Sequence, residues 1–396
     1  MAICHPLVFQ RSENMIELPK RFDEYEESRR EGFIKIKELK DKGVNIVGTF
    51  CTYAPTELIY AAGAVPVSLC SGNQDVIAQA EVDLPENLCP LIKSSYGNAV
   101  TERCPFFYFS DLVVGETTCD GKKKMYELLK NIKDVHVMNL PQSQLNEHDF
   151  EYWKAELIKL RRVLEEKFNV EITDEKLRES IKTRNRERKI LLEFYELGKL
   201  NPAPISGFDL NSAAEAVAFR FDREKAYEEI AMRTLELKEK YERELKGKKT
   251  NRPRILITGC PTVGVRKKVI DQIEELGADV VGFESCSGPK EMMELVDETM
   301  EPIDAIAKKY LNIHCSVMTP NPNRFKVLDE MIDDYQVDGV VEVILQACHT
   351  FNIESYNVKN YVANVKNKPY ISIETDYSEF DLGQLKTRLN AFIEIL

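Results

Sequence analysis

Strand and helix signals alternate along most of this chain, and they do so in two separate runs. In the first run, Asn45–Phe50 reads as a strand and Pro55–Ala62 as a helix with proline near its first turn. Ala64–Leu69 reads as a strand, Glu86–Val100 as a helix, Leu112–Thr117 as a strand, Gly121–Ile132 as a helix and Val135–Leu140 as a strand. Alternation at this pitch predicts a parallel sheet, because parallel neighbours need a crossover and a helix is the usual one.

From Asp149 to about Lys249 the strand signals vanish. Asp174–Gly198 and Asp222–Leu245 are charged with helical periodicity, and Pro202, Pro204 and Gly207 break the region. Alternation resumes after Arg252-Pro253, with strands at Arg254–Thr258, Asp279–Glu284, Gly339–Leu345 and Tyr370–Glu374. Helices are expected at Val265–Leu276, Glu291–Tyr310, from Asn323 to Tyr335, at His349–Asn364 and at Phe380–Leu396. The fold class predicted is α/β, with two doubly wound parallel-sheet (Rossmann-like) lobes joined by a helical segment. The expected boundaries are an N-terminal helical segment over residues 1–44, a first lobe over 45–148, a helical insert over 149–250 and a second lobe over 251–396. A chain of 396 residues is also longer than one hydrophobic core usually serves.

Charge and hydropathy exclude several roles. A net charge of -12 argues against a nucleic-acid partner, since phosphate binding needs a basic surface. The apolar runs, such as Gly339–Leu345, are too short to span a bilayer, so no membrane association is expected. Met1–Arg11 shows no basic segment followed by an apolar stretch, so no secretory signal is expected and the location predicted is cytoplasmic.

In a reducing compartment the ten cysteines are core thiols, a reactive thiol or metal ligands rather than disulfides. Cys51, Cys119, Cys260, Cys286 and Cys348 each follow a predicted strand, at the sheet edge where open α/β folds bind ligands. Cys70 also ends a strand, where core packing explains it equally well. Cys89, Cys104 and Cys315 fall in loops or at helix starts, and Cys4 lies near the terminus and is discounted. Zinc sites favour CxxC pairs or nearby histidines, yet no two cysteines here are closer than 15 residues and only 5 histidines exist. A single reactive thiol would leave the other cysteines unexplained. An iron–sulfur cluster uses several thiolates, which dispersed loop cysteines can supply, and helix N-termini after Cys119 and Cys348 would favour the anionic thiolate.

The runs Phe50-Cys51-Thr52-Tyr53-Ala54-Pro55-Thr56-Glu57-Leu58, Leu88-Cys89-Pro90-Leu91-Ile92-Lys93-Ser94-Ser95-Tyr96-Gly97, Thr117-Thr118-Cys119-Asp120-Gly121-Lys122 and Leu345-Gln346-Ala347-Cys348-His349 resemble the 2-hydroxyacyl-CoA dehydratase family. The segment Cys104–Glu116 resembles its double-cubane cluster branch. The resemblance implies a first 4Fe-4S cubane on Cys89, Cys119 and Cys348. The branch implies a second cubane, making a double-cubane 8Fe-9S cluster, with three further ligands drawn from Cys51, Cys104, Cys286 and Cys315. Cys51, Cys286 and Cys315 are preferred and Cys104 is held in reserve, while Cys70 and Cys260 are left as core or supporting residues.

The resemblance further implies a homodimer that receives electrons from a separate ATP-hydrolysing 4Fe-4S activator homodimer. Those electrons would reduce a small unsaturated molecule. In keeping with that, Gly259-Cys260-Pro261-Thr262-Val263-Gly264 has a phosphate-loop spacing, but Val265 and Arg266 stand where lysine and serine or threonine are required. Thr52, Thr118 and Ser287 are candidate hydrogen-bond donors to cluster sulfur, or ordinary turn and cap residues. His349 is a candidate proton donor, or a helix-start residue. Glu57 reads as a helix-capping carboxylate. The run Lys122-Lys123-Lys124 reads as solvated helix surface, or as a patch that docks the activator or an anionic substrate. Two other readings stay open: a dehydratase subunit with a single 4Fe-4S cluster, and a non-catalytic electron-transfer or cluster-storage protein.

Overall fold

A computed structural model describes residues 22–396, with side chains from residue 31 onward. The expectations for Cys4 and for the start of the N-terminal segment lie outside these residues. Helix α1 (Phe22–Asp41) leads into the first sheet, made of β1 (Ile46–Thr49), β2 (Val65–Ser68), β3 (Leu112–Glu116) and β4 (Val135–Met138). Between these strands lie α2 (Thr56–Ala61), α3 (Ile77–Ala80), α4 (Pro90–Val100), α5 (Pro105–Phe109) and α6 (Asp120–Leu129). The helical segment contributes α7 (Glu147–Phe168), α8 (Asp174–Tyr195), α9 (Gly207–Val217) and α10 (Arg223–Lys240). The second sheet holds β5 (Arg254–Gly259), β6 (Asp279–Glu284), β7 (Gly339–Leu345) and β8 (Tyr370–Thr375). Its helices are α11 (Gln272–Glu275), α12 (Pro302–Leu311), α13 (Pro322–Asp334), α14 (His349–Asn360) and α15 (Leu382–Ile393).

Both sheets are parallel throughout, and they share one strand order, β2-β1-β3-β4 and β6-β5-β7-β8. The two-lobed α/β architecture expected from the alternation is therefore present. The central strands β1, β3, β5 and β7 are buried along their whole length, as parallel strands covered on both faces must be. In each sheet the order reverses between the two central strands, and such a switch point opens a crevice at their carboxyl ends.

The helical segment is more than a linker. One continuous core runs from Phe50 and Val67 through Leu191, Phe194 and Phe208 to Ile255 and Phe283, joining both lobes. A second core packs Trp153, Leu157 and Leu177 against Leu58 of the first lobe and Ile306 of the second. Gly207, read from sequence as a breaker, opens α9, because Ser206 caps that helix by accepting from the Asp209 amide at 3.0 Å. A side chain at Gly207 or Gly198 would run into the β6 backbone at Val280 and Val281, so the glycines let the segment lie flat on that strand.

Two helix predictions need correction, and both matter for the site. The helix expected from Glu86 starts only at Pro90, whose missing amide suits the first helical position and leaves Cys89 at the N-cap. The helix expected over Glu291–Tyr310 starts at Pro302. The preceding loop of turns and bends is held to α8, where Asn185 donates to the Val296 carbonyl at 2.8 Å and accepts from its amide at 3.0 Å. Those tertiary bonds override the local helical periodicity.

Candidate metal centre

The carboxyl edges of the two sheets face each other. Tyr53, after β1, donates to the Ile313 carbonyl at 3.0 Å. Gly72, after β2, lies so close to Gly264, after β5, that a side chain at either would strike the other's backbone. Arg188 of α8 reaches both sides at once, 2.5 Å from Glu57 and 2.5 Å from Glu291. Glu57 is thus a buried interlobe partner, also accepting from the Tyr310 hydroxyl at 2.8 Å, and makes no helix cap, contrary to the sequence reading.

Eight cysteines are delivered to this cleft. Three strand ends do it with a backbone turn into the left-handed region, at Cys51 itself (φ 69°), at Gly259 before Cys260 (φ 102°) and at Ala347 before Cys348 (φ 56°). A non-glycine residue in that region costs roughly 1 kcal/mol or more, a cost that recurs where a side chain must be aimed. Cys89, Cys119 and Cys348 each sit at the N-cap of a helix, α4, α6 and α14. None makes a conventional capping bond. The first-turn amides of Leu91 and Ile92, of Lys122 and of Phe351 nevertheless favour the respective thiolates.

The thiols form two groups. Cys348 of the second lobe is hydrogen-bonded to Cys260 of the same lobe and to Cys89 of the first. Those two thiols donate to it, which lowers the Cys348 thiol and raises those of Cys89 and Cys260. The Leu345 amide lies 3.3 Å from the Cys260 sulfur, and Cys119 stands within electrostatic reach of Cys348.

In the second group, Cys51 of the first lobe faces Cys286 and Cys315 of the second. Burial pushes the Cys315 thiol up to about 12, with Cys286 adding to the effect. Cys70 lies between the groups, within reach of Cys51 and Cys286. Cys104 is buried at the N-cap of α5, among the first lobe's core residues.

The remaining predicted residues divide. Thr52 has its hydroxyl 3.9 Å from the Cys51 sulfur. Thr118 instead donates to Glu116 at 3.1 Å, and the Ser287 hydroxyl accepts from the Thr262 amide at 3.0 Å. Thr350, which the sequence reading passed over, stands 3.9 Å from the Cys348 sulfur. His349 is exposed at the first position of α14. Lys122 is no docking residue: it is largely buried and pairs with Glu116 at 2.6 Å, whereas Lys123 and Lys124 are exposed and pair with Asp120 and Glu127. Although burial disfavours its charge, Glu116 holds the Lys122 ammonium protonated within reach of Cys51 and Cys70.

This donor set fits a soft, sulfur-bound group. Among the described residues no three His, Cys, Asp or Glu side chains gather closely enough for a single metal ion. A cluster takes at most one thiolate per iron and asks for a wider spread of the same ligand type. The buried hydroxyls of Ser285 and Ser316, next in sequence to Cys286 and Cys315, have no hydrogen-bond partner. Orphaned groups of that kind are costly unless something further is bound. Cys260, read from sequence as a core or supporting residue, is buried and hydrogen-bonded to Cys348.

No helix among the described residues is long and apolar enough to cross a membrane. Residues 51–396 match the family model described as 2-hydroxyglutaryl-CoA dehydratase, D-component. The chain is 51% identical over 381 residues to YjiM of Escherichia coli (strain K12), whose name gives a dehydratase subunit and no substrate; the match covers 96% of this chain and 99% of the relative. It is 24% identical over 368 residues to the (R)-phenyllactyl-CoA dehydratase beta subunit of Clostridium sporogenes, covering 91% and 94% of the two chains. It is 23% identical over 361 residues to the lactoyl-CoA dehydratase subunit beta of Anaerotignum propionicum, covering 90% and 93%. With the family match extending over the strand-end cysteines and both lobes, this chain belongs to the 2-hydroxyglutaryl-CoA dehydratase D-component family.

Proposed function

We propose that this chain is the iron–sulfur component of a reductive enzyme, holding a double-cubane 8Fe-9S cluster in the cleft between its lobes. The observation that carries the reading is the gathering of cysteines from both sheet edges into two groups, Cys89, Cys260 and Cys348 with Cys119 near, and Cys51, Cys286 and Cys315. Cys260, hydrogen-bonded to Cys348, is proposed as a supporting thiol beside the six ligands Cys51, Cys89, Cys119, Cys286, Cys315 and Cys348. When bound, such a cluster supplies single electrons at low potential. Those electrons are proposed to come from an ATP-hydrolysing 4Fe-4S activator homodimer and to pass to a small unsaturated acyl molecule. The chain itself is proposed to work as a cytoplasmic homodimer.

The chain's own residues shape that environment. Lys122 and Lys290 place buried positive charge beside the thiols, which favours thiolate over thiol and raises the potential at which an electron is accepted. Thr52 and Thr350 set hydroxyls beside Cys51 and Cys348, where a donor to sulfur acts in the same direction.

A second reading, a dehydratase subunit with one 4Fe-4S cluster, is favoured by relatives named as beta subunits of 2-hydroxyacyl-CoA dehydratases. Iron and sulfide analysis of anaerobically purified protein separates the two. About eight irons per chain is expected for the double cubane, about four for the single cluster. Protein that carries no iron after anaerobic purification would overturn both.

A further inference from the structure

Arg188 of α8 is buried and takes hydrogen-bond partners from both lobes. Its Nη2 lies 2.5 Å from Glu57 and 2.5 Å from Glu291, and its Nε lies 2.9 Å from Glu291. Nη2 also donates to the Tyr310 hydroxyl at 3.2 Å. That hydroxyl in turn donates to Glu57 at 2.8 Å and accepts from the Thr56 amide at 3.3 Å. Each of the three partners stands a short way along the chain from one cysteine of the second group. Glu57 lies six residues after Cys51, Glu291 five residues after Cys286, and Tyr310 five residues before Cys315. The three cysteines belong to separate segments of two lobes, yet the flanks of all three converge on one guanidinium.

Neighbouring bonds reinforce the same junction. Lys309 pairs with Glu291 at 2.7 Å, and Arg184, one turn before Arg188, reaches Glu291 at 3.5 Å. Tyr53, two residues after Cys51, donates at 3.0 Å to the carbonyl of Ile313, two residues before Cys315. A planar guanidinium suits this position, because its fixed fork of donors holds two carboxylates and a hydroxyl in one arrangement. Without it, two buried carboxylates from opposite lobes are left uncompensated. The other cysteine group is built differently. The remaining side-chain partner of Arg188 is Asn185 of its own helix, at 3.3 Å, so none of these partners lies on a segment that opens at Cys89, Cys119 or Cys348. Those three cysteines are placed by the N-caps of α4, α6 and α14.

We infer that Arg188 is the positioning residue that gathers Cys51, Cys286 and Cys315 into one half of the proposed metal centre, and that the half on Cys89, Cys119 and Cys348 assembles without it. The inference deepens the proposed function and rests on that reading for what the gathered cysteines hold. Arg188 acts through the three flanking segments, as outer partners orient the ligands of other metal sites, and no redox step is assigned to it.

The test compares full-length wild type, Arg188→Met and Arg188→Lys, all purified anaerobically, by two measurements. Iron analysis is expected to fall from about eight per chain in wild type to about four in Arg188→Met, the second half being lost and the first kept. Arg188→Lys keeps the charge without the fork and is expected to fall in the same direction, which serves if the methionine variant does not fold. Leu389→Ala, a buried change in the cysteine-free helix α15, should lower the denaturation midpoint while leaving the iron at the wild-type count. The second measurement needs no iron: the chelator-stripped chains are treated with a short bifunctional thiol alkylator and the joined peptides are mapped. A link from Cys51 to Cys286 or Cys315 is expected in wild type and is reduced several-fold in the Arg188 variants, while a Cys89–Cys348 link persists in all. An unchanged Cys51 link, iron lost equally from both halves, or the same halving in Leu389→Ala would overturn the inference. About four irons in wild type would instead strike the double-cubane reading, and the cross-links would then decide the role of Arg188 alone.

Discussion

In the first lobe, β3 ends at the cleft in one buried carboxylate, Glu116, matched by one cation, Lys122. In the second lobe, β6 and β7 bring Glu284 and Glu342 into the interior, and a whole set of partners answers them. Arg324 lies 3.2 Å from Glu284, 2.9 Å from Glu342 and 2.5 Å from Glu354. Lys290 adds a contact to Glu284 at 2.7 Å, and Tyr370 donates to Glu342 at 2.5 Å. His314 completes the set; burial, reinforced by Lys290, takes it down to about 3 and keeps it neutral beside Glu284. Burial pushes the Glu284 carboxyl upward, but Lys290 and Arg324 outweigh it and hold it at about 2.

The same strand order therefore supports two kinds of edge. A lone buried pair can be neutralised by one proton transfer, while in a network each lost member strands several charges at once. The second lobe has the build of a fixed platform for Cys286, Cys315 and Cys348. The first presents Cys51 and Cys119 on a simpler frame.

Removing one charge from each edge tests this contrast most directly. Arg324→Met leaves three carboxylates without their shared cation and is expected to cost about 3 to 5 kcal/mol. Lys122→Met leaves only Glu116, whose carboxyl burial already pushes upward, so it takes a proton and the loss is smaller, about 1 to 3 kcal/mol. Urea denaturation of both variants beside wild type measures the difference. Equal losses would mean that the two edges are equally over-determined, and the comparison would fail.

Much of this architecture could be read from sequence because parallel β/α alternation is a local signal. All eight strands were located by their short apolar runs between turn residues, and the strand-end cysteines followed from that. Grouping the cysteines was another matter. Cys51 and Cys315 are far apart in the chain and meet only through the docking of two lobes, which no local periodicity encodes. Cys260 looked like a core thiol because it is one, at 1% exposure, yet it also touches Cys348. Met292–Met300 failed as a helix because Asn185, more than 100 residues earlier, claims its backbone.

The second lobe's rigidity also depends on the helical segment, and a pH experiment isolates one link. Glu274 accepts from the Gly207 amide at 2.6 Å and from the Phe208 amide at 3.3 Å, fastening the start of α9 to the second lobe. Burial raises its carboxyl to about 7 despite those bonds, from an ordinary value of 4.5. Between these two values the folded chain retains a proton that the unfolded chain has released. Folding is therefore weakened as pH rises through the window, by about 3 kcal/mol in full above pH 7. Glu274→Gln is expected to reduce the stability difference between pH 5 and pH 8 by that amount. A variant whose pH profile matched wild type would detach Glu274 from this role.

The smallest effect is predicted within the first lobe's lysine run, where one residue belongs to the cleft and its neighbours to solvent. Lys124 pairs with Glu127 on the exposed face of α6, with 78% and 65% of the two side chains accessible. Exposed pairs of this kind contribute little, because water and salt screen them and both side chains lose freedom. Lys124→Ala should leave the denaturation midpoint and the iron content where they are in wild type, while Lys122→Met, two positions away, changes both. Iron loss in Lys124→Ala would mean that charge on the outer face of α6 reaches the cysteines. The first lobe's edge would then be a network like the second's rather than a single buried pair.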